Sequence, residues 1–274
     1  MRTRFALTAV AAATAIALSA CGGGSSDAIL SDSDEPLKVG ASPVPHAEIL
    51  NYVADELAAK EGLKIDVVEF TDYVQPNVAL KDGSLDANYF QTIPYLEEQK
   101  ASAGYDFQAL EPVHVEPLGL YSDKVDSIDA LSDGAQIAIP NDPTNAGRAL
   151  RLLAAQKLIT LADTGDKAPT ALDIKDNPKN LKITEVEAAQ LPRSLQDVDA
   201  AVINGNYAID ADLSPAKDSI ALEEAEGNPN ANLVVVRSGD ENDERIQKLE
   251  KLLHSDEVKA FIEKTYDGAV IPAF

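Results

Sequence analysis

Short apolar segments alternate with amphipathic helical patterns through most of the chain, and this alternation limits the folds available to it. The apolar segments have the length of strands and are rich in Val and Ile, whereas the helical segments repeat apolar side chains every three or four residues. Strands that alternate with helices form parallel sheets covered by helices. The sequence therefore predicts an α/β protein.

The positions of these elements can be read from the patterns. The predicted strands are 37–41, 63–70, 107–115, 135–140, 182–187, 200–204 and 233–236. The predicted helices are 46–60, 76–82, 94–103, 144–157, a helix through Ile246, Leu249 and Leu253, and a last helix over 256–266. This alternation fits one doubly wound domain or two α/β lobes, and ligands in such folds bind at the carboxyl ends of strands or between domains.

The first 20 residues have the organisation of a secretory signal. Arg2 and Arg4 precede an apolar run over 5–18, and Cys21, the single cysteine of the chain, follows two small residues. A cysteine at this place is the signature of a bacterial lipoprotein. The apolar run is short for a membrane span, which needs about 20 residues, and an ordinary signal peptide with a chance cysteine is the other alternative.

We therefore predict a lipoprotein signal peptide over residues 1–20 and lipidation at Cys21. Residues 21–36 begin with glycine and serine and are predicted to form a flexible linker. The protein is expected on the extracytoplasmic face of the cell membrane, held there by its lipid. This exported setting favours two lobes over a single doubly wound domain.

The charge of the chain restricts its partners. The sequence has 23 Lys and Arg against 46 Asp and Glu, a net charge of −23 at pH 7. Phosphate binding needs clustered basic side chains, so a nucleic-acid partner is not expected. With one cysteine, the chain has neither a disulfide nor a thiolate metal site.

The densest candidate for a binding site is the segment 139–148, in which a buried strand leads directly into a helix. Asp142 is suited to cap that helix and Pro143 to its first turn. The helix N-terminus and Arg148, about one turn later, could together hold a carboxylate. The alternative is a well-capped helix whose arginine is solvated.

Two further candidates lie elsewhere in the chain. Tyr73, Phe90 and Tyr95 fall in two adjacent predicted turns, over 71–77 and 88–96, and their rings could line an apolar pocket suited to a thioether. They could equally belong to the core. Asn204 ends a predicted strand, where its amide could accept a hydrogen bond from an ammonium group or simply form a turn.

Patterns typical of catalysis are sparse. The sequence contains no Gly-x-Ser-x-Gly, no His-Glu-x-x-His and no phosphate-binding glycine loop. His46, His114 and His254 are scattered and lack the spacing of metal ligands. We therefore predict no metal site, no cofactor and no enzymatic activity.

An ordered set of motifs resembles the methionine-binding lipoproteins of ABC importers, the MetQ/NlpA family. The resemblance extends from Leu37 to the C-terminus. Besides the leader with its cysteine, the motifs are Phe-Thr-Asp-Tyr-Val-Gln-Pro-Asn at 70–77, Leu-Asp-Ala-Asn at 85–88, Phe-Gln at 90–91, Pro-Tyr-Leu at 94–96, the block 139–148, Asn-Pro-Lys-Asn-Leu-Lys-Ile at 177–183, Gln-Leu-Pro-Arg-Ser-Leu at 190–195 and Ala-Val-Ile-Asn at 201–204.

The resemblance implies a two-lobed, type II periplasmic-binding-protein fold with the ligand in the cleft between the lobes. Lobe 1 would comprise 37–117 and 208–274, and lobe 2 would comprise 118–207. By motif match, Arg148 would pair with the ligand carboxylate with help from Asn145, and Asn204 would meet the α-amino group. The side chain would be enclosed by Tyr73, Phe90 and Tyr95.

One position departs from the family pattern. Family members usually carry a histidine after Phe-Gln, where this chain has Thr92. A smaller hydroxyl side chain there is expected to change the polar edge of the side-chain pocket. Ligand preference among L-methionine, D-methionine, methionine sulfoxide and a methionine dipeptide therefore stays open.

These observations predict a lipid-anchored substrate-binding protein that captures L-methionine and delivers it to an ABC permease with a cytoplasmic ATPase. One alternative is the same scaffold with a related ligand or another small amino acid. Another is a surface lipoprotein with a contact or adhesion role, which a ligand-dependent shift in melting temperature would distinguish from a binding protein.

Overall fold

The computed structural model describes residues 35–274. The predicted signal peptide, Cys21 and nearly all of the predicted linker lie outside the described residues. The strands are β1 (Leu37–Ala41), β2 (Ile65–Glu69), β3 (Ala87–Thr92), β4 (Phe107–Val115), β5 (Gly119–Tyr121), β6 (Gln136–Pro140), β7 (Thr160–Leu161), β8 (Ile174–Asp176), β9 (Lys182–Val186), β10 (Ala200–Ile203), β11 (Ser219–Leu222), β12 (Ala231–Arg237) and β13 (Ile271–Pro272).

The helices lie on the faces of the sheets. They are α1 (Glu48–Tyr52), α2 (Gln75–Lys81), α3 (Ile93–Ala103), α4 (Pro143–Ala155), α5 (Leu191–Ser194), α6 (Gly205–Asp210), α7 (Pro215–Asp218), α8 (Glu244–Leu253) and α9 (Asp256–Tyr266). Helical turns over Pro43–Ala47, Val53–Leu57 and Ala58–Glu61 flank α1, and short 3₁₀ turns occur at Ile128–Ala130, Ala171–Asp173, Ala188–Gln190 and Asp240–Asn242. Among the helices of residues 35–274, none combines the length and the apolar composition needed to cross a bilayer.

The strands form two main sheets. The first has the order β13-β4-β12-β3-β1-β2, and the second has the order β11-β5-β10-β6-β9. Strands β1, β2 and β3 pair in parallel, as do β6, β9 and β10. The strands next to the crossings between sheets, β4, β5, β11 and β12, pair antiparallel. The prediction of an α/β fold is confirmed, although the sheets are mixed.

Each sheet has its own hydrophobic core. The predicted apolar face of the first helix is buried, with Ile49 and Val53 fully inaccessible in the core of the first sheet. Leu150 and Leu153 of α4 are equally buried against the second sheet. Burying one such side chain contributes roughly 1.5–3 kcal/mol. Because each core is built around its own sheet, the two sheets define two lobes with a cleft between them.

The chain passes between the sheets twice, after β4 and after β11. The first crossing comprises residues 116–118, and the lobe boundary at 117/118 stays a prediction. The second crossing comprises residues 223–230, because β11 hydrogen-bonds to β5 in the second sheet. We therefore propose that lobe 2 extends to residue 222. Strand β11 has only four residues and begins with a serine, so its sequence is too short to show the alternation by which a strand is predicted.

Candidate functional site

A cavity lies between the lobes, with about 370 Å³ of empty space that includes its opening to solvent. All seven residues predicted for the ligand site line it. These are Tyr73, Phe90, Thr92, Tyr95, Asn145, Arg148 and Asn204. The first four come from the first lobe and the last three from the second. The structure thus brings together residues that are up to 131 positions apart in the sequence.

Three aromatic rings form one side of the cavity. The ring centroids of Tyr73 and Phe90 lie 6.0 Å apart, those of Tyr73 and Tyr95 also 6.0 Å, and those of Phe90 and Tyr95 5.9 Å. The Tyr95 hydroxyl donates to the Tyr73 carbonyl oxygen at 2.9 Å, which fixes both residues. These rings give the cavity an apolar region able to enclose an aliphatic or thioether side chain.

Phe90 and Thr92 reach the cavity from a strand and not from the predicted turn. They belong to β3, which pairs with β1 and β12 in the first sheet. This strand was missed because Asn88 and Gln91 interrupt its apolar pattern, although both are buried. Gln91 Nε2 donates to Asn88 Oδ1 at 2.8 Å, and both amides also hydrogen-bond to the buried Asn77 side chain. Thr92 also caps α3, since its hydroxyl accepts from the Tyr95 N–H.

The polar end of the cavity is built at the start of α4. As predicted, Asp142 caps this helix, with Oδ1 accepting from the Asn145 N–H at 2.9 Å. The Asn145 side chain also donates to Asp142, so its own Oδ1 is directed away and accepts from Asn204 Nδ2 at 2.9 Å. Asn204 Oδ1 is buried without a hydrogen-bond partner among the described residues. A buried acceptor of this kind is costly unless a ligand donor meets it.

Arg148 contributes the positive charge of the cavity. Its side chain is almost fully buried, and it forms an ion pair with Glu223. Nη2 also donates to the Glu116 carbonyl oxygen at 2.8 Å. The sequence predicted a guanidinium fork free to receive a ligand carboxylate in bidentate fashion, but one edge of the fork is already occupied by Glu223. The two N–H groups of Nη1 make no hydrogen bond within residues 35–274.

Contacts between the lobes close the cavity. The Tyr73 hydroxyl donates to Asn206 Oδ1 at 2.5 Å, and the Tyr73 ring lies 5.0 Å from that of Tyr207. The Tyr207 hydroxyl donates to the Thr71 carbonyl oxygen at 3.2 Å. Because Tyr73 and Thr71 belong to the first lobe and the other two residues to the second, the structure has the lobes closed over the cavity.

Five lining residues were not identified from the sequence. They are Gln91, Glu116, Gly205, Asn206 and Asn232. Gly205 has a steric reason for its identity, since a Cβ built there would lie 2.7 Å from Glu116 Cβ. Asn206 lies in the first turn of α6, two residues after Asn204, so its closeness to a predicted site residue could have identified it. The sequence around Glu116 and Asn232 gives no such signal, because Glu116 lies in the first crossing and Asn232 in β12, and the two meet only in the folded chain.

Two histidines that are scattered in the sequence meet beneath the cavity. His114 Nε2 lies 2.7 Å and His46 Nε2 3.3 Å from Glu116 Oε1, so these three side chains are close enough to hold a metal ion. The structure corrects the view that the histidines are unrelated. However, His46 Nε2 also meets Asn232 Oδ1 at 3.0 Å, and Tyr89 is hydrogen-bonded to His114 Nδ1. This hydrogen bonding accounts for the cluster, and the absence of a metal site stays a prediction.

The charge state of this cluster follows from its burial. Burial lowers the pKa of His46 to about 4, although the neighbouring Glu116 carboxylate acts in the opposite direction. Burial likewise lowers the pKa of His114 to about 3. The pKa of Glu116 is raised by burial, while the charges of His46 and Arg148 partly offset this effect. Both histidines are therefore neutral at physiological pH.

Comparison with known proteins identifies the family. The sequence model of the NlpA lipoprotein family matches residues 37–274. The chain belongs to the NlpA lipoprotein family. The D-methionine-binding lipoprotein MetQ of Escherichia coli K12 is 46% identical over 227 residues, which cover 82% of each chain.

A solved structure is similar over the same region. The nutrient binding protein from Burkholderia cenocepacia, whose structure contains bound methionine, is 48% identical. It matches with a TM-score of 0.84 over 87% of this chain and 100% of its own. The similarity to the NlpA lipoproteins confirms the predicted family and the two-lobed substrate-binding fold.

Proposed function

We propose that this protein is a lipid-anchored substrate-binding protein that captures L-methionine outside the cell membrane and delivers it to an ABC permease with a cytoplasmic ATPase. The observation that carries the proposal is the cavity itself. It joins three aromatic rings, a buried guanidinium and the unpartnered Asn204 Oδ1 within one enclosed space. An amino acid with an apolar side chain offers a matching side chain, carboxylate and ammonium group.

In this proposal, each lining residue has a role. Tyr73, Phe90 and Tyr95 enclose the thioether side chain, Arg148 and Asn145 hold the carboxylate, and Asn204 Oδ1 accepts from the ammonium group. The names of the related proteins support methionine as the ligand. The lobes open and close by hinge motion at the two crossings. The protein performs no chemistry on its ligand.

Membrane attachment through lipid on Cys21 is part of the same proposal. It is supported by the lipoprotein family to which the chain belongs and by the signal preceding the cysteine. The permease partner is supported by the substrate-binding fold. Metabolic labelling with a fatty acid should mark the wild-type protein, and replacing Cys21 with serine should abolish the label.

Calorimetric titration of the purified protein with L-methionine tests the ligand. The protein is first unfolded and refolded to remove any ligand that purifies with it. We expect binding of one ligand per protein and a rise in melting temperature, because a ligand that binds the folded state stabilises it by mass action. Absence of both heat and a melting shift, with a folded protein, would reject methionine and favour the contact or adhesion role.

Replacing Thr92 with histidine should change ligand preference more than it changes stability. Thr92 lines the cavity and is only partly buried, so a larger side chain alters the pocket edge without filling the core. The measurement is a titration panel with L-methionine, D-methionine, methionine sulfoxide and glycyl-methionine for both proteins. The order of affinities is expected to differ between them, and identical affinities across the panel would contradict the prediction.

A further inference from the structure

Arg148 connects both of the segments that cross between the lobes. Its Nη2 donates to the carbonyl oxygen of Glu116 in the first crossing, at 2.8 Å. Its Nε lies 2.9 Å and 3.0 Å from the two carboxylate oxygens of Glu223 in the second crossing, and Nη2 lies 2.5 Å from Glu223 Oε2. The side chain that the proposed function assigns to the ligand carboxylate is therefore held by the hinge.

Glu223 is itself anchored to the first crossing. Its Oε2 accepts from the Leu118 N–H at 3.1 Å, and its own N–H donates to the Leu118 carbonyl oxygen at 2.9 Å. Arg148, Glu223 and the 116–118 segment thus form a closed ring of hydrogen bonds. The Leu118 N–H holds the Glu223 carboxylate in position, and the carboxylate orients the guanidinium through its hydrogen bonds to Nε and Nη2.

The position of Glu223 separates two possible roles. A carboxylate inside the cavity would compete with a ligand carboxylate for Arg148. Glu223 is absent from the cavity wall, although Arg148 and Glu116 line it. Of the five N–H donors of a guanidinium, Glu223 and the Glu116 carbonyl engage those of Nε and Nη2, which leaves the Nη1 donors for a ligand. Glu223 therefore contacts the Nε and Nη2 edge of the guanidinium from outside the cavity wall.

The charge of the pair agrees with this geometry. Burial by itself raises the pKa of Glu223, but the hydrogen bonds and positive charge of Arg148 outweigh it, so that the pKa is lowered overall. Glu223 is therefore ionised at neutral pH, and charge-assisted hydrogen bonds hold it to the Arg148 guanidinium. Such a pair is rigid enough to aim the remaining donors.

We propose that Glu223 is a positioning residue for ligand binding, which aims the Nη1 donors of Arg148 into the cavity by tying its guanidinium to both interlobe crossings. The inference rests on the proposed function, because it concerns the same ligand carboxylate. It assigns a role to a residue outside the cavity wall, and it makes the second crossing part of the recognition apparatus.

The test replaces Glu223 with glutamine and uses Glu224→Gln as the matched control. Both changes remove one negative charge from the same crossing, but Glu224 is exposed. We expect Glu223→Gln to weaken L-methionine binding by about tenfold or more, because a charge-assisted hydrogen bond is lost, and Glu224→Gln to change it by less than about twofold. Unchanged or tighter binding by Glu223→Gln would overturn the proposal.

A double-mutant cycle shows whether Glu223 acts through Arg148. In an Arg148→Lys background, Glu223→Gln should weaken binding by less than about threefold, because the fork that Glu223 orients is gone. A full, additive loss in that background would mean that Glu223 acts independently of Arg148 and would overturn the proposal. If Glu223→Gln does not fold, Glu223→Asp, which keeps the charge but shortens the reach, is expected to show the same loss and coupling.

Failure of the proposed function has a different signature from failure of this inference. If the wild-type protein binds no methionine, the proposed function fails, whatever the Glu223 variants do. If wild-type protein binds methionine and both Glu223 variants bind equally well, the positioning role alone fails. The melting temperature of each ligand-free variant shows whether an affinity loss reflects loss of folded protein.

Discussion

Replacing Arg148 with alanine should weaken L-methionine binding by about 100-fold or more, which corresponds to about 2.7 kcal/mol. The change removes the positive charge of the cavity and leaves a ligand carboxylate without a charged partner among the lining residues. It also leaves the partly buried Glu223 carboxylate without its ion-pair partner. The melting temperature of the ligand-free variant is therefore expected to fall as well.

Arg151→Ala is the control for this variant. Arg151 lies one turn further along α4, is exposed, and has a described contact only with the Lys167 carbonyl oxygen. Titration at a temperature well below both melting points separates loss of binding from loss of folded protein. Affinity of Arg148→Ala within a few-fold of wild type would refute the assignment of this residue to the ligand carboxylate.

The free energy of unfolding should fall by about 3 kcal/mol between pH 7 and pH 5, largely because of two buried histidines. The pKa of His46 is about 4 and that of His114 about 3 in the folded protein, whereas a histidine in the unfolded chain titrates near 6.5. The unfolded chain therefore binds more protons than the folded one below pH 6.5. The stabilisation is fully present above that pH and is lost as the pH falls toward 4.

Glu116 acts in the opposite sense over part of this range. Its raised pKa means that the folded protein takes up a proton there before the unfolded chain does, which favours folding as the pH falls toward the usual carboxyl range. One carboxyl group cannot offset two histidines, so the net effect stays destabilising. The Tyr89 hydroxyl, which is hydrogen-bonded to His114, carries no charge in this range because burial raises its pKa further above its usual value.

Chemical denaturation at pH 7, 6 and 5 measures this effect, with His46→Gln as the diagnostic variant. Glutamine keeps an amide that can donate to Asn232 Oδ1 in place of His46 Nε2, but it does not titrate. The variant should lose about half of the pH dependence, since each proton contributes about 1.4 kcal/mol per pH unit. An identical slope for wild type and variant would show that His46 does not carry the effect.

Most of the fold can be predicted from the sequence, because its strands and helices have unambiguous periodicity. The stripe of Ile246, Leu249 and Leu253 is buried as expected, and the last helix covers 256–266 as predicted. Strands β3, β5, β7, β8, β11 and β13 were missed, and all of them except β3 are only two to four residues long. In β3 the buried amides of Asn88 and Gln91 hydrogen-bond to each other and to Asn77, so a polar pattern occupies a central strand.

The candidate site was predicted in part, and the reason lies in how its residues are connected. Asp142, Asn145 and Arg148 belong to one strand-to-helix junction, so their capping and proximity follow from local geometry. The family resemblance supplied Asn145 and Thr92 and supported the others. The roles of Glu116, Asn232 and Glu223 could not be predicted, because nothing in the sequence around them distinguishes them from other polar residues. Their contacts form only when distant parts of the chain meet in the fold.

The sequence by itself determined the α/β class and the junction that starts α4. It also predicted the lipoprotein leader and, together with the family resemblance, the seven candidate ligand residues. Only the tertiary structure decided that Glu223 occupies one edge of the Arg148 guanidinium, that His46 and His114 share Glu116, and that β11 belongs to the second sheet. The physical reason is the range of the interactions. Periodicity and capping involve residues a few positions apart, so they can be read from the sequence. Ion pairs and buried hydrogen-bond networks join residues that are far apart in the chain, and only the folded structure shows which of them meet.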